Sequence, residues 1–262
     1  MTETLAAYLL ICSCALIGSG LTLFSGFGLG TLMTPVFALF FPIDLAIALT
    51  AIVHFLNNLF KLVLVGNKAN KQVIIRFGIP SVIAALLGAW LLYKIGEMPA
   101  LYSYTLNEKL FSVTPVKLTI AILLAFFSLF ELIPLLKKIE VDKKYLPLGG
   151  LLSGFFGGLS GNQGALRSAF LIRAGLTKEA FIATGVILAC LIDVSRLGIY
   201  SSQIYKTSNQ LDYTLITCAT LCAFTGAYVG SKLVKKVTIH ALQFFVAIML
   251  LVFSVLLGMG II

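Results

Sequence analysis

The chain has 262 residues, 60% of them hydrophobic and only 11% charged, and it carries a net charge of +9 at pH 7. Water-soluble domains usually carry about 25% charged residues, so this composition excludes a soluble globular protein. In a membrane protein, excess positive charge marks the side facing the cytoplasm and gives no reason to expect nucleic acid as a partner. The sequence therefore predicts one integral membrane domain over residues 1–262, surrounded by the lipid bilayer.

Ten apolar segments follow one another along the chain, and they divide into two sets of five. The first set belongs to residues 1–138, and its segments are predicted at 5–25, 28–41, 44–65, 72–96 and 114–138. The second set belongs to residues 143–262, and its segments are predicted at 145–160, 163–174, 178–202, 211–235 and 238–262. The first segment lacks the basic start and cleavage site of a signal peptide, so we interpret it as a retained helix. The fold class is predicted to be all-α.

The second segment begins with the glycine-rich stretch SGFGLGTLMTP. Gly26, Gly28 and Gly30 would leave the backbone bare at a helix tip, where a ligand can approach closely. Pro35 keeps the following helix short and irregular. The alternative interpretation is that these glycines serve only close helix packing.

The third segment carries a polar stripe in the stretch TAIVHFLNNLFK. Helical spacing puts its polar residues on one face, which is expected to line a cavity or to contact another helix. His54 therefore either faces a substrate or is a structural hydrogen-bond partner. The Lys61 side chain is expected to extend to the cytoplasmic surface. The stripe consists of Thr50, His54, Asn57, Asn58 and Lys61.

A second glycine-rich stretch, GFFGGLSGNQGALRSAFLIRAG at 154–175, contains an arginine among apolar residues. The unpaired N–H groups at a helix start bind anions, and Asn162 and Gln163 add amide donors there. Arg167 follows one turn later, and its side chain should lean back to the helix start. A forked cation beside backbone donors suits an oxyanion such as a carboxylate or a sulfonate. Alternatively, Arg167 braces two helices by binding backbone carbonyls.

Three further features of the second set have structural interpretations. Asp193 and Arg196 are three residues apart on a helix and are expected to pair with each other. Gly226 and Gly230 form a small-residue stripe typical of close helix packing. Neither a metal site nor a cofactor is predicted, because the five cysteines lie in apolar runs without metal-ligand spacing and read as buried free thiols. These cysteines are Cys12, Cys14, Cys190, Cys218 and Cys222.

The two sets of segments resemble each other in sequence. From Gly30 the chain reads GTLMTPVFALFFPIDLAIALT, and from Gly164 it reads GALRSAFLIRAGLTKEAFIAT, with Gly, Leu, Ala and Thr recurring at one spacing. The segment at 163–174 spans only about 18 Å, less than the hydrocarbon core of about 30 Å. We therefore expect each second segment to form a short broken-helix hairpin with its predecessor. The glycine-rich tip of each hairpin would lie near the bilayer midplane.

The distribution of positive charge predicts the topology of these sets. Linkers at 66–77, 137–144, 173–178 and 232–240 hold twelve Lys or Arg residues, whereas the opposite linkers hold four. This bias places both termini outside and gives each set an odd number of crossings. The fold is therefore predicted as two inverted five-segment repeats in a multi-pass protein of the inner (plasma) membrane. Such repeats with broken helices are typical of transporters.

An enzyme is the alternative in another functional class. GLSG at 158–161 and HFLNN at 54–58 resemble the GxSG and HxxxN signatures of rhomboid intramembrane serine proteases. Such a protease needs a histidine base on a helix after Ser160. The one later histidine, His240, lies beside Lys235 and Lys236 at a predicted membrane surface. The prediction is therefore that the protein is not an enzyme.

Several of these elements together resemble the TauE/SafE sulfite exporter family over nearly the whole chain. They are SGFGLGTLMTPVFAL, the following AIALT, the second glycine-rich tip and the GA of both fourth segments. The resemblance implies a transporter of small sulfur-containing anions, chiefly sulfite and organosulfonates, built from two repeats. The family pattern has a GxGGG-type run in both tips, where this chain has GFGLG and SGNQG.

We predict a membrane transporter that exports a small sulfur-containing anion, with an anion channel as the alternative and proton coupling through His54 left open. A homodimer is one assembly that the sequence permits. The predicted substrate site lies between the two tips and the polar stripe. Its residues are Gly26, Gly28, Gly30, His54, Asn57, Asn58, Ser160, Asn162, Gln163, Gly164 and Arg167.

Overall fold

The computed structural model describes residues 2–25, 29–133, 141–206, 211–233 and 239–262. Within these ranges the chain forms ten α-helices and one β-hairpin. The helices are α1 (Thr2–Ser25), α2 (Leu29–Ala38), α3 (Ile43–Val65), α4 (Lys71–Gly96), α5 (Pro115–Leu132), α6 (Leu146–Ser160), α7 (Gly164–Leu171), α8 (Lys178–Lys206), α9 (Tyr213–Leu233) and α10 (Ile239–Gly258). The strands are β1 (Tyr102–Leu106) and β2 (Lys109–Val113).

Each helix falls within one of the ten predicted segments or overlaps most of it. In the described residues, six helices are long and apolar enough to cross a membrane, namely α1, α3, α4, α5, α8 and α9. The prediction of an all-α, multi-pass membrane protein is confirmed at this level. Its physical basis is that a helix satisfies its own backbone hydrogen bonds, which lipid cannot do.

The β-hairpin was not predicted, because the sequence around it was interpreted as a linker. Tyr102 pairs with Val113 and Leu106 with Lys109 in an antiparallel register. The two turn residues, Asn107 and Glu108, have positive φ angles of 49° and 64°. This is the geometry of a two-residue hairpin turn, and it lets the chain between α4 and α5 satisfy its own backbone groups.

The two predicted hairpins differ in the length of their first arm. Helix α1 has 24 residues and α6 has 15. At about 1.5 Å per residue these are about 36 Å and about 22 Å long, so only α1 is long enough to cross the hydrocarbon core. The second arms, α2 and α7, have 10 and 8 residues.

Glycines bring two pairs of helices together backbone to backbone. A Cβ atom on Gly150, Gly154 or Gly158 of α6 would lie 2.1–2.2 Å from a carbonyl oxygen of α4. In the same way, a Cβ atom on Gly226 of α9 would lie 2.0 Å from the carbonyl oxygen of Leu16 in α1. Small residues allow such close approach between membrane helices. The predicted packing role of the Gly226 stripe is therefore confirmed.

Corresponding helices of the two sets also pack against each other, and they run in opposite directions. His54 of α3 contacts Asp193 of α8, while the backbone N–H of Asn70, beyond the end of α3, donates to Thr184 nearer the start of α8. Helices α3 and α8 are therefore antiparallel. Helices α5 and α10 are antiparallel too, because Lys117 near the start of α5 donates to the Gly260 carbonyl after α10.

Candidate functional site

The site is centred on the turn between α6 and α7. Helix α6 ends at Ser160, and Gly161 follows in the left-handed conformation with φ of +80°. Gly30 of α2 packs against this turn, since a Cβ atom on Gly30 would lie 3.6 Å from the Gly161 carbonyl oxygen and 3.7 Å from Cδ2 of His54. The short helices α2 and α7 are thus brought together beside α3. Gly26 and Gly28 lie outside the described residues.

A buried network of polar side chains lies beside this turn, between α3 and α8. His54 Nδ1 is 2.6 Å from Asp193 Oδ2, and Asn58 Nδ2 donates to the same oxygen at 3.3 Å. Arg196 pairs with the other carboxylate oxygen, with Nη2 and Nε at 2.9 and 3.1 Å from Asp193 Oδ1. The predicted Asp193–Arg196 pair is confirmed. His54 and Asn58 are held by this carboxylate, so they connect the network to α3.

Several buried polar atoms around the turn have no hydrogen-bond partner in the part of the chain that the structure describes. An unsatisfied buried donor or acceptor costs about 1–3 kcal/mol, so such atoms are rare without a functional reason. Three are donors, namely Nη1 and Nη2 of Arg196 and Nε2 of Gln163, and one is the hydroxyl of Thr50. Nη2 of Arg196 forms the ion pair with Asp193 without making a hydrogen bond to it. The fifth atom is the acceptor Oδ1 of Asn162. All five belong to segments that meet at Gly161 and Gly30.

Arg167 lies one turn into α7 as predicted, and it reaches back toward the turn. Its Nη1 donates to Gln163 Oε1 at 3.2 Å. Its Nε atom is 3.6 Å from the Cβ position of Gly185 on α8. Arg167 also interacts electrostatically with Lys61 and Asp193, and it remains partly exposed.

The prediction for Lys61 is wrong, because its side chain does not extend to a surface. Lys61 is only 5% exposed. Its Nζ atom donates to Asn57 Oδ1 at 3.2 Å, in the amide orientation that also lets Asn57 donate to the Ala223 carbonyl and accept from Ser19. Lys61 sits four residues before the end of α3, a helix that packs against α8 and α9.

The remaining predicted site residues take structural roles or lie at the turn itself. Asn57 connects α3 to α1 and α9 and does not belong to the network around Asp193. The Ser160 hydroxyl donates back to the Phe156 carbonyl at 3.1 Å. Asn162, Gln163 and Gly164 are buried at the start of α7.

The charges of this region favour an anion. Lys61, Arg167 and Arg196 contribute +3, and the Asp193 carboxylate that contacts or faces them contributes −1. Counting His54 as neutral, the sum of +3 and −1 is +2. Buried charges are costly unless they are compensated, so a small oxyanion would complement this cluster. Among the described residues, no group of three His, Cys, Asp or Glu side chains could hold a metal ion.

A cavity of about 230 Å³ lies further along α8, at the end where α3 begins and α4 ends. Asp44, Glu97 and Tyr200 contribute to its lining. The Tyr200 hydroxyl donates to the Gly158 carbonyl at 2.9 Å, one turn before the Gly161 turn. Tyr200 therefore contributes both to the cavity lining and to the contact of α8 with α6 just before the turn.

Arg196 and Lys61 are not among the site residues predicted from the sequence. Both had a signal in the sequence, because charged residues inside membrane helices are rare and usually face a functional cavity. The pairing with Asp193 was treated as a complete explanation of Arg196. It explains only part of the guanidinium, because Nη1 remains without a partner within the described residues.

Comparison with known proteins gives one match. A family model described as "Sulfite exporter TauE/SafE" matches residues 10–257, nearly the whole chain. No curated protein and no solved structure matches the chain. The residues matched include both short helices and all of the polar network.

Proposed function

The chain belongs to the sulfite exporter TauE/SafE family, and from this premise we propose that it exports a small sulfur-containing anion such as sulfite or an organosulfonate. The membrane is the cell's inner (plasma) membrane, and the substrate site lies where the two glycine-rich tips meet. This family consists of transporters, so the protease alternative is set aside. The Ser160 hydroxyl, which bonds to its own helix, plays no nucleophilic role in this proposal.

One observation carries the proposal, namely the combination of uncompensated positive charge and unpartnered donors at the Gly161 turn. Sulfite and sulfonates present several oxygens that only accept hydrogen bonds. Arg196 and Gln163 each offer unpartnered N–H groups there, and Arg167 and Lys61 add charge nearby. Hydrogen bonds between charged partners are about twice as strong as neutral ones, so these groups suit an oxyanion better than a neutral solute.

The proposal favours a carrier over a channel. Arg196 and Asp193 are fully buried, so an anion reaches the network only if helices move apart. In our proposal the fold consists of two inverted repeats, one in residues 1–138 and one in 143–262, that together form a single transport domain. The antiparallel pairs α3–α8 and α5–α10 support this, and rocking of such repeats about a central site would give alternating access.

Outward movement of an anion needs no coupled ion. A negative-inside potential favours export by about 2.3 kcal/mol per charge per 100 mV. Because His54 is held by the Asp193 carboxylate, we propose that it orients this carboxylate. Uncoupled export predicts that sulfite efflux from proteoliposomes continues when a protonophore is added to dissipate the proton gradient.

The decisive experiment is substitution of Arg167, with binding and transport both measured. Arg167→Gln keeps hydrogen-bond donors and removes the charge, so sulfite affinity should fall by about 2–4 kcal/mol, the cost of breaking a desolvated charge pair. Arg167→Lys keeps the charge without the planar fork and should fall between Arg167→Gln and the wild type. Ligand-induced thermal stabilisation in detergent and sulfite flux in proteoliposomes are the measurements.

Arg173→Gln is the matched control, because it removes an exposed arginine just after the same helix. It should leave sulfite stabilisation unchanged. If folded Arg167→Gln protein is stabilised by sulfite and by a sulfonate as strongly as the wild type, Arg167 does not belong to the site. If the wild type transports neither anion, the proposed substrate class is wrong.

A further inference from the structure

The guanidinium of Arg196 contacts a carboxylate, that of Asp193, along one of its edges only, within the described residues. We infer that Arg196 binds the transported anion directly, at a site beside the Gly161 turn. The other edge of its guanidinium stays paired with the Asp193 carboxylate. The inference rests on the proposed function and assigns a ligand for the same anion that the sequence did not indicate.

The geometry of the ion pair leaves a free edge. Nε and Nη2 of Arg196 both approach Asp193 Oδ1, at 3.1 and 2.9 Å. Nη1 has no partner among the described residues, although the side chain is 0% exposed. A guanidinium carries five N–H donors in one plane and binds oxyanions through two parallel hydrogen bonds. The edge formed by Nη1 and Nη2 is therefore available for a second anion.

The free edge is directed at the Gly161 turn. Nη1 lies 2.6 Å from the position that a Cβ atom on Gly161 would occupy. Only glycine allows this approach, both because of the space and because φ is +80°. The guanidinium therefore reaches the backbone of the turn where the two tips meet.

Two other unpartnered groups belong to segments that pack at this turn. Gln163, whose Nε2 lacks a partner among the described residues, directly precedes α7, and the Thr50 hydroxyl belongs to the α3 face that packs on Gly30. An anion with three oxygens could accept from these two groups and from the Arg196 edge at once. Its oxygens would satisfy donors that are otherwise buried and unpaired. This is the observation that distinguishes Arg196 from an arginine that only braces its own helix.

Arg196 and Arg167 then have different roles. Arg167 is partly exposed, whereas Arg196 is fully buried beyond it. An anion that approaches along α7 meets Arg167 first and reaches Arg196 only after the tips separate. Arg196 is thus the specificity-determining ligand, since it offers a planar pair of donors.

The experiment separates binding from bracing by removing the ion pair as a unit. In Asp193→Asn/Arg196→Gln, both charges are lost together, so no unpaired charge is buried. We expect this purified full-length variant to fold and to bind sulfite at least ten-fold more weakly than the wild type, by calorimetry and by thermal shift. The comparison variant is Asp193→Asn, which keeps Arg196 and frees its second edge. It should bind sulfite more tightly than the double variant, because it retains the guanidinium.

Two results would overturn the inference. The first is wild-type sulfite affinity in the folded double variant, which would make Arg196 only a partner of Asp193. The second is equal loss of affinity in Asp193→Asn, which would assign the effect to the carboxylate. If the double variant does not fold, Arg196→Lys with Asp193 retained keeps the ion pair but lacks the second edge. It should then bind sulfite at least ten-fold more weakly, and wild-type affinity there contradicts the inference.

The same measurements distinguish this inference from the proposed function. Normal sulfite binding in the double variant, with loss in Arg167→Gln, leaves the proposed function intact and removes only Arg196. Absence of sulfite and sulfonate binding in the wild type removes both.

Discussion

At the scale of single residues, Gly161 holds the site together because it meets two requirements at once. Its φ of +80° costs a non-glycine residue about 1–2 kcal/mol. Its missing side chain makes room for Nη1 of Arg196, 2.6 Å from the Cβ position. A backbone requirement and a packing requirement therefore fall on the same residue.

Gly161→Ala should destabilise the protein and also weaken sulfite binding, because the new methyl group displaces the Arg196 guanidinium. Gly175→Ala is the matched control, since Gly175 has φ of +74° but nothing within 4 Å of its Cβ position. Both variants carry similar backbone strain, and only the first should lose ligand-induced thermal stabilisation. Equal sulfite stabilisation in the two variants would mean that the guanidinium position is unimportant for binding.

At the scale of elements, the helix pair α4–α6 fixes where the Gly161 turn lies. The two helices are joined by backbone contact along α6, and the turn follows directly after the last contact at Gly158. Displacement of α6 would move Ser160 and Gly161 relative to α8. The close packing therefore serves the site as well as the fold.

Gly154→Ala should separate α4 from α6, because the added Cβ atom would lie 2.2 Å from the Ser81 carbonyl oxygen. Overpacking of this kind typically costs about 1–3 kcal/mol. Gly198→Ala in α8 is the control, as no atom of the described residues lies within 4 Å of its Cβ position. It should be neutral or stabilising, since glycine inside a helix costs about 0.5–1 kcal/mol relative to alanine. Thermal unfolding in detergent compares the two, and a tolerated Gly154→Ala would show that α4 and α6 can move apart freely.

At the scale of the whole molecule, the proposed inverted repeats make a prediction about sidedness. Single cysteines at Ser103, Asn67 and Lys143, in a background without the five native cysteines, are placed at exposed positions of three linkers. A thiol reagent that does not cross the membrane should label the cysteine at position 103 from outside. It should label the cysteines at positions 67 and 143 only from the cytoplasmic side. Labelling of Asn67 and Lys143 from opposite sides would rule out the inverted arrangement.

The sequence by itself determined the ten segments, the Asp193–Arg196 pair and the packing role of Gly226. Each depends on local information, namely hydropathy along one helix, a three-residue spacing or a small-residue stripe. It also located the turn between α6 and α7, because glycines interrupt the apolar run at 157–164. The β-hairpin at 102–113 had a local signal too, in its alternating residues around Asn107, which the interpretation as a linker passed over.

Only the tertiary structure decided how the polar residues are shared between helices. His54 meets Asp193 across 139 residues of chain, Asn57 turns to α1 and α9, and Lys61 is covered instead of reaching a surface. These outcomes depend on which helices are neighbours. Helical periodicity predicts which residues share a face of one helix, but it does not predict which helix packs against that face. The free edge of Arg196 appears for the same reason, because it exists only where α8 meets the turn after α6.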